Sequence, residues 1–119
     1  MEKAHKNLKV WQESIELAKV IYKITVNMPT TEKYGLTSQM KRAAISIPSN
    51  IAEGAARQGI KESIHFYSIA RGSLSELDTQ VELCKQLGFI ASPQILSLIS
   101  QIEKVDVLLS GLIRYKRKQ

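Results

Sequence analysis

Cysteine is almost missing from this chain. The single copy, Cys84, cannot form an internal disulfide, and it cannot build a cysteine-based zinc site. Histidine is nearly as scarce, with only His5 and His65. One Glu-x-x-His step, Glu62 to His65, has the spacing used by di-iron bundles, but such sites need two steps, so no metal or other cofactor is expected. There is no Gly-rich phosphate loop, no HExxH and no paired-cysteine motif, and nothing sets a nucleophile beside a base. The expectation is therefore no enzyme and no catalytic residue. No apolar run reaches the roughly 20 residues that would cross a membrane. The opening MEKAHKNLKVWQE has no apolar signal core, which makes a cytoplasmic protein the expectation. Glycine (six) and proline (three) are few, and strict alternation is short-lived, which points away from sheet and toward helix.

What is present is helical periodicity. Hydrophobic residues make up 44% of 119 residues, enough for one globular domain spanning 1–119. The pattern predicts helices at about 8–28, 37–56, 60–87 and 93–115 with short connections, an all-α, antiparallel up-down four-helix bundle. Asn7 is the expected N-cap of the first helix and Pro29 its stop. That helix carries two apolar stripes, one through Leu8, Trp11, Ile15, Ala18 and Tyr22, the other through Val10, Leu17, Ile21 and Met28. Trp11 and Tyr22 are expected in the core. Gly88 before Phe89 and Ile90 reads as a Schellman stop, and Ser92-Pro93 as an N-cap followed by the first helical residue. The fourth helix is apolar on more sides than three neighbours can cover, which points to self-association.

The second helix breaks ordinary rules. Beside its apolar stripe runs a polar ladder: Gln39, Arg42, Ser46, Asn50 and Glu53. Pro48 sits inside, where it removes a backbone donor and should kink the helix at a cost of about 3 kcal/mol. Asn50 and Glu53 have the outline of a capping box for a restarted segment. In an antiparallel hairpin, partners on helices 2 and 3 have numbers summing to about 118. Ser46 then faces Gly72 and Ser73, Arg42 faces Glu76, and Gln39 faces Gln80. The expected structural network is Gln39, Arg42, Ser46, Asn50, Glu53, Arg71, Ser73, Glu76 and Gln80, with an Arg42–Glu76 ion pair at its centre. Ala70, Gly72 and Ser73 form a small-residue patch expected to let helix 2 approach, and Gly54 permits close approach of another backbone.

The net charge is +6, and it is unevenly spread. Residues 1–42 carry eight basic and four acidic groups, residues 43–113 five and seven, and residues 114–119 four and none. Such a distribution suits a polyanionic partner. The candidate nucleic-acid contacts are Lys3, Lys6, Lys9, Lys19, Lys23, Arg114, Lys116, Arg117 and Lys118. Cations at the end of a helix also complement its dipole, which is the plainer reading of the last four.

The segments VWQESIELAKVIY, KYGLTSQMKRAAISIPSNIAEGAAR and IARGSLSELDTQ resemble the small bacterial four-helix-bundle proteins encoded in 23S rRNA intervening sequences. The match rests on Ser38-Gln39, Arg42-Ala43, Ser46-Ile47-Pro48, Asn50 to Gly54, Arg71-Gly72-Ser73 and Glu76-Leu77, with Lys41 where a second arginine is common. The resemblance implies an up-down bundle, a homopentamer and a role in binding nucleic acid. Related bundles are accessory proteins to the reverse transcriptases of diversity-generating retroelements, which implies an alternative role as an adaptor docking a protein partner. It supplies no catalytic residues. Arg57 and His65 also invite comparison with helical-bundle ribonucleases, but the seven residues between them exceed that group's spacing. The expected function is thus a non-enzymatic homo-oligomer that binds RNA or DNA electrostatically.

Overall fold

The computed structural model describes residues 3–119. Four helices form a rod of 45 × 24 × 22 Å: α1 (Lys9–Ile24), α2 (Leu36–Ala56), α3 (Ile60–Leu87) and α4 (Ser92–Arg117). Short 3-10 turns at Ala4–Asn7, Thr25–Asn27 and Thr30–Glu32 flank α1 and lead into α2. Each helix packs on the next, and α1 closes the ring against α4. Among the described residues there is no strand, so the bundle is all-α.

The core follows the apolar spacing. Val10, Leu17 and Ile21 of α1 meet Met40, Ala44, Ile47 and Ile51 of α2, Leu74, Leu77 and Val81 of α3, and Leu98, Val105 and Leu109 of α4, all buried. Of the two stripes on α1, the one through Val10 faces inward. Trp11 is only half-buried, edge-on to His5 at 5.0 Å. Tyr22 is exposed under the ammonium of Lys41, 5.0 Å from its ring centre. The expectation that both aromatics lie in the core is corrected: the bundle needs one stripe, and the other borders a groove against α2.

Helix ends obey local chemistry with two small departures. Asn7 does not cap α1, because residues 4–7 form their own turn and Leu8 takes the cap position without a side-chain bond. Gln12 donates to the Lys6 carbonyl at 2.8 Å instead. Ser92 is the first residue of α4 and Ala91 its N-cap, one position earlier than expected, with Pro93 inside the first turn. At the other end of α3, Gly88 adopts φ +71°, the Phe89 N–H donates to the Cys84 carbonyl and the Gly88 N–H to that of Lys85. That is the Schellman pattern read from the sequence.

Helix α2 runs unbroken from Leu36 to Ala56 with Pro48 inside it. The restart implied by an Asn50 cap does not occur: Asn50 Nδ2 donates back to the Ser46 carbonyl at 2.9 Å and to Ser46 Oγ at 3.0 Å. The close approach between α2 and α3 is at Gly54. A Cβ placed there would meet Tyr67 Cε1 at 2.5 Å and the Ser63 carbonyl at 3.0 Å. Buried Ser63 donates to the Gly54 carbonyl at 2.8 Å, fastening the end of α2 to the start of α3. Gly72 is exposed, with nothing within 4 Å of an added Cβ, so this glycine takes no part in the approach, whereas its patch neighbours do: Ala70 is buried and the Ser73 hydroxyl lies 2.8 Å from that of Ser46.

Cys84 lies wholly buried beside sulfur, 3.5 Å from Met40 Sδ and 4.0 Å from Met28 Sδ. Burial, then the negative charge of Glu32, pushes its thiol from an ordinary value near 9 up to about 11. The folded chain therefore holds this proton more tightly than the unfolded chain does. The stability Cys84 contributes is full below pH 9 and is lost as pH rises toward 11. Burial of Tyr67 raises its hydroxyl in the same direction. The expected outcome is a denaturation midpoint that falls across this window, with a native thiol that stays unlabelled by a thiol reagent near pH 8; rapid native-state labelling would contradict the burial.

Candidate nucleic-acid interface

Antiparallel packing decides which charges meet. The Ser46 and Ser73 hydroxyls lie 2.8 Å apart across α2 and α3, and Lys104 Nζ reaches Glu13 Oε1 at 3.1 Å across α4 and α1. These contacts put the start of α1, the end of α2, the start of α3 and the end of α4 at one end of the rod. That end collects Lys3, Lys6 and Lys9 before and in α1, Arg57 and Lys61 around the α2–α3 turn, and Arg114, Lys116, Arg117 and Lys118 at the end of α4. All but the half-buried Lys116 are exposed. Among the described residues the same helix ends carry two carboxylates, Glu53 and Glu62, and Glu53 is taken by Arg57 at 2.7 Å. The result is a basic pole.

Helix electrostatics account for part of it. Arg114, Lys116 and Arg117 complement the carbonyl end of α4, each worth about 0.3–1 kcal/mol. Lys3, Lys6 and Lys9 sit at the positive end of α1, whose first turn has no acidic residue. Lys61 is likewise at the positive end of α3. Cations there oppose the helix dipole. Their placement costs stability and adds to the positive field at this end of the rod.

Seven of the nine cations expected from the sequence come together here. Lys19 and Lys23 do not: they lie further along α1, Lys19 about 15 Å beyond Lys9, and Lys19 pairs with Glu16 at 3.3 Å. Arg57 and Lys61 join the pole without having been expected there. Their signal is present in the sequence, because the turn they flank belongs at the same end as the start of α1. The Arg57 guanidinium also lies over the Phe66 ring, 4.7 Å from its centre, and His65 stands edge-on to Phe66 at 5.4 Å.

The polar ladder is a different feature. Ser46, Asn50 and Ser73 form one hydrogen-bonded cluster between α2 and α3. Gln80, 7% exposed, donates to Glu76 Oε1 at 3.4 Å, and its own Oε1 has no partner. The expected Arg42–Glu76 ion pair is not formed among the described residues. Both side chains are exposed, where a lone pair gains little and solvent competes. Gln39 is exposed and Arg71 half-buried, and neither makes a side-chain hydrogen bond within the described residues.

The comparisons fit this architecture. The family model for the 23S rRNA-intervening sequence protein matches residues 6–111. The chain belongs to that family. A crystal structure of a protein of unknown function from the S23 ribosomal protein family of Bacteroides thetaiotaomicron is similar, with a TM-score of 0.79 and 27% identity. The similarity covers 87% of this chain and 97% of that one. No curated protein matches. Neither the 23S rRNA-intervening sequence protein family nor the Bacteroides protein is described as an enzyme. No helix among the described residues is long and apolar enough to cross a membrane.

Proposed function

We propose that this chain is a non-enzymatic, cytoplasmic homo-oligomer that binds nucleic acid, RNA foremost, through its basic pole. The observation that carries the reading is the meeting of cations from four helix ends, including ends where a cation opposes the helix dipole. Each phosphate neutralised releases a counterion, so such a surface binds by charge and reads little sequence. Self-association is supported by large apolar side chains left uncovered on α3 and α4: Leu83, Leu87, Leu96 and Val107. The family resemblance implies a homopentamer, and such an assembly would multiply the charge and the avidity.

Lysine footprinting tests the contact surface. Acetylation of the bound complex, read by mass spectrometry, is expected to protect Lys3, Lys6, Lys9, Lys61, Lys116 and Lys118 while Lys23 and Lys85 stay reactive. Uniform protection, or protection centred on Lys23, would contradict the placement. A native mass five times that of the chain supports the pentamer, and a monomer at micromolar concentration opposes it.

A second reading has its own observation. Trp11, Ile15 and Ala18 of α1 and Ile45, Pro48 and Ala52 of α2 line an open, mostly apolar groove. As a docking site for a protein such as a reverse transcriptase, it would make the assembly an adaptor. Retention of a protein partner by a variant with its pole charges reversed, alongside loss of nucleic acid, separates the two roles.

A further inference from the structure

We infer that the basic pole takes single strands, with Tyr115 as a platform on which a base stacks; the inference rests on the nucleic-acid reading above. Tyr115 is 61% exposed in the last turns of α4, between Arg114 and Lys116 and one turn from Lys118. The other exposed tyrosines are engaged, Tyr22 by Lys41 and Tyr34 by Lys33. Phe66 at the same end carries Arg57 on its ring. Among the described residues, no ring or cation is stacked on Tyr115.

The helix also leaves space beside it. A helical side chain leans over the turn that precedes it, so the residues three and four positions earlier border the Tyr115 ring. The fourth is Gly111. A Cβ built there meets only Arg114 Nη2, at 3.8 Å. A glycine inside a helix is less stable than alanine there, and no neighbouring backbone requires one at this position. Tyr115, the open step at Gly111 and the Arg114 and Lys118 cations thus share the outer side of α4. Together they offer a π-face, room for a base, and charge for the phosphates on either side. Stacking of this kind is tolerant of sequence and needs an unpaired base, so it discriminates strandedness.

The test compares labelled, unstructured pyrimidine RNA and DNA strands of about 20 nucleotides with a duplex of equal length, by anisotropy at low salt. Tyr115→Ala is expected to weaken binding of both single strands roughly five- to hundred-fold. Duplex binding should stay within about twofold, because phosphate contacts alone hold it. Tyr115→Phe keeps the ring and should keep the affinity. Gly111→Leu fills the step without changing charge and should weaken single strands while raising thermal stability. Single-strand affinity unchanged in Tyr115→Ala, or equal losses for strand and duplex, overturns the platform and leaves the electrostatic reading standing. A wild-type protein that binds none of the probes overturns both.

Discussion

Reversing Arg114, Lys116, Arg117 and Lys118 to glutamate is expected to lower duplex affinity about 10²- to 10⁴-fold at 0.1 M salt. The magnitude follows from counterion release. Each neutralised phosphate contributes about 0.9 to the slope of log affinity against log salt, so four lost contacts remove up to roughly 3.6 from it. The same variants should converge on the wild type near 1 M salt, where release gains nothing. The Lys19→Gln, Lys23→Gln double variant should lose far less, since those cations stand away from the pole and Lys19 is already paired. Equal losses in the two variants would mean that net charge matters and the pole does not.

Gly54→Ala is expected to destabilise the fold although it replaces glycine inside a helix. Propensity alone would favour alanine by about 1 kcal/mol. Against that, the new methyl would stand 2.5 Å from the edge of the Tyr67 ring and 3.0 Å from the Ser63 carbonyl. Tyr67 is 1% exposed and has nowhere to retreat, and the Ser63 carbonyl is part of the α3 backbone. Overpacking of this kind costs about 1–3 kcal/mol, and separating α2 from α3 would also stretch the Ser63–Gly54 hydrogen bond. Gly72→Ala is the internal control. It lies in the middle of α3 with nothing within 4 Å, so it should stabilise by up to about 1 kcal/mol. Opposite signs in two chemical melts check the packing; a stabilised Gly54→Ala would show that α2 and α3 do not meet at Gly54.

Signals carried by neighbouring residues are legible in the sequence. The Gly88 stop needs only a glycine able to take positive φ and the apolar residues after it. The register that joins Ser46 to Ser73 follows from the short connection between α2 and α3. Features that depend on which side of a helix meets a neighbour are not legible. Periodicity places Arg42 and Glu76 on facing stripes but says nothing of how far out their long side chains reach, and both remain in water. Gly54 and Gly72 look alike in the chain, each interrupting a helix, and only the depth of packing separates them. The basic pole shows the same limit. Charge counted along the chain finds its two termini and misses Arg57 and Lys61. Antiparallel packing sums charge across helix ends, so residues far apart in number become one surface. Lys19 and Lys23, close in number to Lys9, fall outside it.

The most direct measurement is the affinity of purified, nuclease-treated protein for structured RNA and duplex DNA across a salt series. A steep, linear fall of log affinity with log salt is expected, with similar slopes for unrelated sequences. Dividing the duplex slope by about 0.9 would count the phosphates that the pole neutralises. Absence of binding even at low salt, or an affinity indifferent to salt, would contradict the account and leave the basic pole as a solvated end of the bundle.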